Sequence, residues 1–178
     1  MEITGINGNM HSLSNSLSNK FVYAVFTNKF IDNNLKKTNA ISNANNYFNS
    51  INFQLYYKSH FKNKSGLGYL ISLSDHYYTN IRFSRDYFNF LFYGNKEFAG
   101  KTADLSGFKL NFIKYQKLRF GLSISKWDIL SIFLSAAMVR GLRNLRVEFN
   151  NAGIYTEQTG EYVDFNLNYN YFSSDTAN

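Results

Sequence analysis

The chain has 178 residues, no proline, no cysteine, 19% aromatic content and a formal net charge of +7. Without cysteine there is no disulfide scaffold, thiolate metal site or cysteine nucleophile, and a single domain of this length can form a core by packing alone. The positive excess sits in residues 1–64, where Lys20, Lys29, Lys36, Lys37, Lys58, Lys62 and Lys64 face only Glu2 and Asp32. These lysines are dispersed among Asn and Ser, which reads as solvated loops and argues against a nucleic-acid partner.

Residues 5–19 are mostly Gly, Ser and Asn and read as a loop, so residues 1–19 are expected to form a flexible leader before a β domain spanning 20–178. From there the dominant period is two. Ile51, Phe53, Leu55 and Tyr57 alternate with polar or smaller neighbours, and so do Leu67, Tyr69, Ile71 and Leu73. The pattern returns at Leu118, Phe120, Leu122 and Ile124, and again at Val163, Phe165, Leu167, Tyr169 and Tyr171. Successive side chains of a strand point to opposite faces, so each segment has one apolar and one polar face, and an all-β antiparallel protein is expected. Weaker strand signals cover Lys20–Thr27, Gly107–Tyr115, Ile129–Val139 and Leu145–Asn150. Turns are expected at Lys62–Gly66, Lys126–Asp128 and Gln158–Gly160. One stretch departs from the period: Ser84 is a helix N-cap, Asp86 lies in the first turn and Gly94 stands as a stop, which predicts a short helix over 84–93.

Two kinds of β protein share this alternation. In a soluble sandwich or lipocalin-like module the apolar face turns inward and binds an apolar ligand; in a membrane barrel it turns outward to lipid, with Tyr and Phe near the interfaces. Aromatic residues running to the strand ends, small polar opposite faces (Gly121, Ser123, Ser125; Asn166, Asn168, Asn170) and a charged fraction of 17% favour the barrel. No run reaches the ~18 apolar residues of a spanning helix, Ile129–Val139 being broken by Ser131 and Ser135. Residues 1–18 show no signal-peptide pattern.

Residues 75–121 carry a more specific pattern: an Asp-plus-aromatic strand end, a short aromatic helix, the block Gly94-Asn95-Lys96-Glu97-Phe98-Ala99-Gly100-Lys101-Thr102-Ala103-Asp104-Leu105-Ser106-Gly107, and Tyr115-Gln116-Lys117 leading into Phe120-Gly121. This block resembles the Bacteroidota outer-membrane β-barrel proteins of domain-of-unknown-function family 5723, as do Asn19-Lys20-Phe21 and Asp32-Asn33-Asn34 upstream. The resemblance spans residues 5–178. It implies an outer-membrane β-barrel, here the N-terminal part of a larger one, so that the barrel need not close within this chain. It implies the outer membrane as location, the bilayer as partner with other envelope or secretion proteins beside it, and a structural or porin-like role. The family brings no catalytic residues.

Candidate sites are few. In the block, Gly94, Gly100 and Gly107 can turn the chain while Asn95, Lys96, Lys101, Thr102 and Asp104 offer polar contacts, the expectation being a lumen-narrowing or connecting element. Arg140, Arg143 and Arg146 would line one face of a helix; on a regular strand Arg143 opposes the other two, and a strand end or loop at the barrel rim is expected. His11, His60 and His76 are scattered, with Asp75–His76 the one adjacent polar pair, and Asp75, Asp86, Asp104 and Asp128 fall on separate segments. No GxSxG, HExxH, P-loop or GxGxxG sequence occurs. No catalytic, metal or cofactor residue is assigned, and an enzyme is not expected.

Overall fold

A computed structural model describes residues 2–40, 42–60, 66–126 and 130–176, excepting the side chains of residues 126 and 130. The fold is all-β: among the described residues there is one seven-stranded antiparallel sheet with three short helices. Strands β1 (Ile3–Ser14), β2 (Asn45–His60), β3 (Leu67–Phe83), β5 (Lys109–Lys126) and β6 (Leu130–Thr156) pair in that order, and β7 (Val163–Asp175) follows on β6. The short β4 (Lys101–Asp104) pairs with Gly153–Thr156 of β6, while β5 pairs with Leu130–Glu148. Strands β4 and β5 therefore share one pass along the same edge of β6, and the whole chain runs up and down as a meander. The sheet is open: among the described residues β1 pairs only with β2, and β7 only with β6.

The four strong period-two segments lie in β2, β3, β5 and β7, as their alternation predicts. Ile129–Val139 and Leu145–Asn150 belong to one 27-residue strand, β6; the intervening Arg, Gly and Asn hide its continuity from the pattern. Gly107–Tyr115 likewise runs into β5. The Gln158–Gly160 turn is formed, with Gly160 at φ 81° and its N–H donating to the Glu157 carbonyl at 3.0 Å. The expected turns at Lys62–Gly66 and Lys126–Asp128 lie largely outside the described residues.

Two expectations are corrected. The Asn/Ser/Gly leader is strand β1, paired in unbroken register with β2 from Ile3↔Lys58 to Ser14↔Tyr47. Its alternation was obscured because Gly8 and Ser12 occupy places where Ile6 and Met10 set the apolar side. Gly5 adds a packing reason for weak hydrophobicity: a Cβ there would strike the Tyr56 ring, which lies over the strand. Lys20–Thr27 is not a strand but helix α1 (Asn19–Phe26), whose N-cap Ser18 accepts from the Phe21 N–H at 3.3 Å. Its buried residues, Phe21 and Ala24, follow helical spacing. A further helix, α2 (Asn33–Lys37), is capped by Asp32, which accepts from the Leu35 N–H at 2.7 Å.

Helix α3 (Arg85–Tyr93) forms where its caps place it: Ser84 Oγ accepts from the Tyr87 N–H at 3.0 Å, and Gly94 stops it at φ 79°. The core gathers around this helix. Phe88 packs with Phe21, Ala40 and Phe83 on one side, with ring centroids 5.4 Å from Phe21 and 4.6 Å from Phe92. On the other side Tyr87 and Phe90 lie against a second cluster of Phe98, Ala103, Leu105, Ala152 and Ile154.

Truncating Phe88, which is 3% exposed, is expected to cost about 3–5 kcal/mol, against about 1–2 kcal/mol for Ser84→Ala, which removes the cap and the hydroxyl's bond to the Asp104 carbonyl. Denaturant titration of both variants measures the ratio; equal small losses would mean that α3 is not the centre of the core.

Candidate functional site

The register assigns every strand residue to one of two faces, because directly paired residues share a side. On the first face the rows read Leu55–Leu73–Leu118–Met138, Tyr57–Ile71–Phe120–Ala136, Tyr69–Leu122–Leu134 and Leu67–Ile124–Ile132. On the second they read Gln54–Ser74–Lys117–Val139 and Tyr56–Ser72–Arg119–Ala137, with Asn52–His76–Tyr115–Gly141 beside them. The burial is inverted relative to a water-soluble sheet. Leu73 is 46% exposed and Leu122 53%, whereas Ser72 is 3% and Ser74 8% exposed. Small polar side chains are shielded among their longer neighbours, and the aliphatic belt is open.

The belt has a charged margin. Next along the apolar face come Phe53–Asp75–Gln116–Arg140 and then Ile51–Tyr77–Lys114–Arg143, with the Lys114 ammonium 5.1 Å from the Tyr77 ring centroid. From Leu67 to Leu73 the belt spans about 20 Å along the strand. Beyond the margin the same face carries Tyr47, Ile81, Phe83 and Leu110, onto which α1 and α3 pack. Between helices and sheet lies a wholly apolar groove of about 300 Å³, lined by residues such as Val22, Val25 and Leu91. On β7 the apolar face continues as the exposed Phe165, Leu167, Tyr169 and Tyr171.

The three arginines stand in the middle of β6, not at a strand end or loop. An extra residue, Leu142, between the pairs Tyr115↔Gly141 and Lys114↔Arg143 shifts the register by one. Arg140 and Arg143 consequently share the apolar face, and Arg146 is the residue that points away, the reverse of what regular alternation predicts. Arg143 pairs in register with Asp175, while Arg146 donates to Glu148 at 2.9 Å and Lys109 joins the same carboxylate. Two-residue alternation cannot reveal a bulge, so this grouping was not legible in advance.

The Gly94–Gly107 block is a strut. Gly94, Gly100 and Gly107 have φ of 79°, 70° and 75°, conformations that suit residues without a Cβ. Between them Asn95–Phe98 makes a 3-10 turn that seats Phe98 on Ala103 and Ile154, which lie on the apolar face. Asp104 ties helix to sheet: its N–H donates to Asp86 Oδ2 at 3.1 Å, and its carbonyl accepts from Ser84 Oγ at 2.6 Å. Asn95, Lys96, Lys101, Thr102 and Asp104 are all exposed. The block thus braces the sheet from the apolar side and does not lie across its polar face.

Asp75 and His76 do not pair, since adjacent strand residues face opposite ways. His76 instead lies 2.5 Å from Asn52 Oδ1 and 2.9 Å from Ser74 Oγ, and its ring stacks on Tyr115 at 4.6 Å. Sequence reasoning missed this cluster because its members come from three strands. Among the described residues no three His, Asp or Glu side chains come together, and no helix is long and apolar enough to cross a membrane, which says nothing of strands. Two titrating groups sit at the helical end of the sheet. Burial raises the Tyr87 hydroxyl above the ordinary tyrosine value, and the Thr159 hydroxyl and N–H lower the exposed Glu157 carboxyl.

No family model, curated protein or solved structure matches the chain, so the faces of the sheet themselves carry the functional reading.

A raised folded-state value means that the protonated phenol is favoured in the native state, so this stabilisation is complete below about pH 10 and lost as pH climbs through the folded value. Tyr87→Phe is expected to leave stability at pH 7 nearly unchanged and to remove that part of the alkaline loss. Denaturation midpoints between pH 7 and 11 measure it, and identical alkaline slopes in both proteins would contradict the assignment.

Proposed function

We propose that this chain forms wall of an outer-membrane-type β-barrel with a structural or transport-related role, in which the exposed aliphatic belt meets lipid and the opposite face borders water. One observation carries the reading: across β2, β3 and β5 the apolar belt is exposed, while the small polar side chains opposite it, such as Ser72 and Ser74, are shielded. In water such a belt is costly, at roughly 25 cal/mol per Å² of apolar surface left uncovered, and in a bilayer it is not. The up-and-down meander suits closure by further strands, because each pass places the next beside it. Tyr57 and Tyr69 toward the hairpin end, with Lys114, Arg140 and Arg143 along the other margin, fit two interfaces where aromatic rings and cations meet head groups. The helices lie beyond that margin. The likeness of residues 75–121 to the Bacteroidota barrel family agrees with this reading and adds no chemistry to it.

A matched pair of substitutions tests the orientation. Leu122→Arg puts a charge in the belt and is expected to cost ~2–4 kcal/mol of stability in phospholipid vesicles, while Asn7→Arg, on the polar face, should change it by less than ~0.5 kcal/mol. The wild-type chain should need detergent or vesicles to fold. A monomer that folds in plain buffer and tolerates both substitutions alike would overturn the proposal in favour of a soluble module.

A further inference from the structure

The polar face carries a charge imbalance that holding the sheet together does not require. Along β1, β2, β3, β5 and β6 it presents Lys58, Arg82, Lys109, Lys117, Arg119 and Arg146 against a single carboxylate, Glu148. That carboxylate is already engaged by Lys109 and Arg146, far along β6 from Lys117 and Arg119. Among the described residues the side chains of Lys117 and Arg119 have no ion-pair or hydrogen-bond partner. Arg119 lines a polar hollow of about 130 Å³ that spans four strands and is bounded by Asn9, Asn52, Ser74 and His76.

The hydrogen bonds around the hollow run in a fixed direction. Asn52 donates through Nδ2 to Asn9 Oδ1 at 3.0 Å, which turns Asn52 Oδ1 toward His76 Nδ1 at 2.5 Å. An amide oxygen only accepts, so His76 Nδ1 carries the proton, and the N–H donors of Asn9 are left unused by the chain of bonds. The stacked rings of His76, Tyr115 and Tyr78 hold the imidazole in place, with Tyr78 and Tyr115 5.8 Å apart. A hollow with free N–H donors, an unpaired guanidinium and a neighbouring ammonium, whose nearest carboxylate, Asp75, belongs to the opposite face of the sheet, is complementary to a small anion. Its volume equals that of about four waters in the liquid, enough for one tetrahedral oxyanion and too small for a sugar chain.

We propose that the hollow on the polar face binds a small tetrahedral oxyanion of the phosphate type, held by Arg119 in the hollow and by Lys117 beside it. This site stands on the geometry of the sheet and does not depend on the barrel closing or on which face meets lipid. The test is titration calorimetry of the folded full chain with inorganic phosphate at a fixed 0.15 M ionic strength, in detergent micelles or, if the chain folds there, in plain buffer. Fixed salt separates a site from general screening. Arg119→Gln should weaken phosphate binding about tenfold or more, the scale of one lost charged hydrogen bond. Lys117→Gln should weaken it less, and Lys96→Gln, on the exposed strut, should leave it unchanged. Neither Arg119 nor Lys117 makes a side-chain bond within the sheet, so both variants should fold, which the vesicle assay above and a denaturant titration check independently. Folded wild-type protein that binds no phosphate, equal weakening by Lys96→Gln, or acetate competing as well as sulfate would each overturn the proposal.

Discussion

The constraint on which everything else depends is the pairing ladder of the sheet. Each strand from β1 to β7 is bonded to its neighbour in near-continuous register, and only two places in β6, at Leu142 and Asn150, interrupt the count. Once register is fixed, period-two alternation leaves no choice about what shares a face: Leu55, Leu73 and Leu118 must lie side by side, and so must Gln54, Ser74 and Lys117. Absence of proline is part of the same constraint, since a proline within these ladders would remove a donor from a central strand. The faces are thus a consequence of backbone bonding, and their chemistry follows from which residues fall at odd and even positions.

What the ladder cannot decide is where each face turns, and there the helices are informative. A soluble protein with an apolar sheet face covers it along its length, usually with a helix layer. Here α1 and α3 cover only the end carrying Tyr47, Ile81, Phe83 and Leu110, while Leu73, Phe120 and Leu122 beyond the Asp75–Gln116–Arg140 row remain open. The transition from protein cover to open belt coincides with a row of ionisable side chains. A boundary of that kind is what a change of surroundings, water to hydrocarbon, would select, because charges belong on the wet side of it and aliphatic residues on the dry side.

Much of the architecture was legible in the sequence because alternation and caps are local signals. Ser84, Asp86 and Gly94 locate α3, and the four strong segments locate β2, β3, β5 and β7. Features that depend on partners were not legible. Strand β1 has little alternation of its own and exists because β2 offers it a full edge. Helix α1 reads as a strand until Ser18 is recognised as a cap. The arginines read as a strand end or loop, with Arg143 opposed to the other two on a regular strand; they lie within β6 with Arg146 opposed, since one bulged residue inverts every later position. The hollow at Arg119 and His76 draws on Asn9, Asn52 and Ser74 from β1, β2 and β3, and Asn52 bonds Asn9 and His76 across 43 and 24 residues. No spacing rule brings them together.

The Leu142 bulge shows how a small irregularity can separate two kinds of cation. Without it, Arg143 would join Arg119 and Lys117 on the polar face, and Arg146 and Glu148 would turn together to the apolar face, away from Lys109. With it, Arg140 and Arg143 border the belt, and Arg146 stays with Glu148 and Lys109. Satisfying Glu148 at the far end of β6 leaves the rows of Arg119 and Lys117 with no carboxylate to neutralise them. The same single residue therefore supports both a cationic margin for the belt and a separate, unneutralised positive centre on the opposite face, and the two proposed roles, lipid contact on one side and anion binding on the other, both rest on that separation.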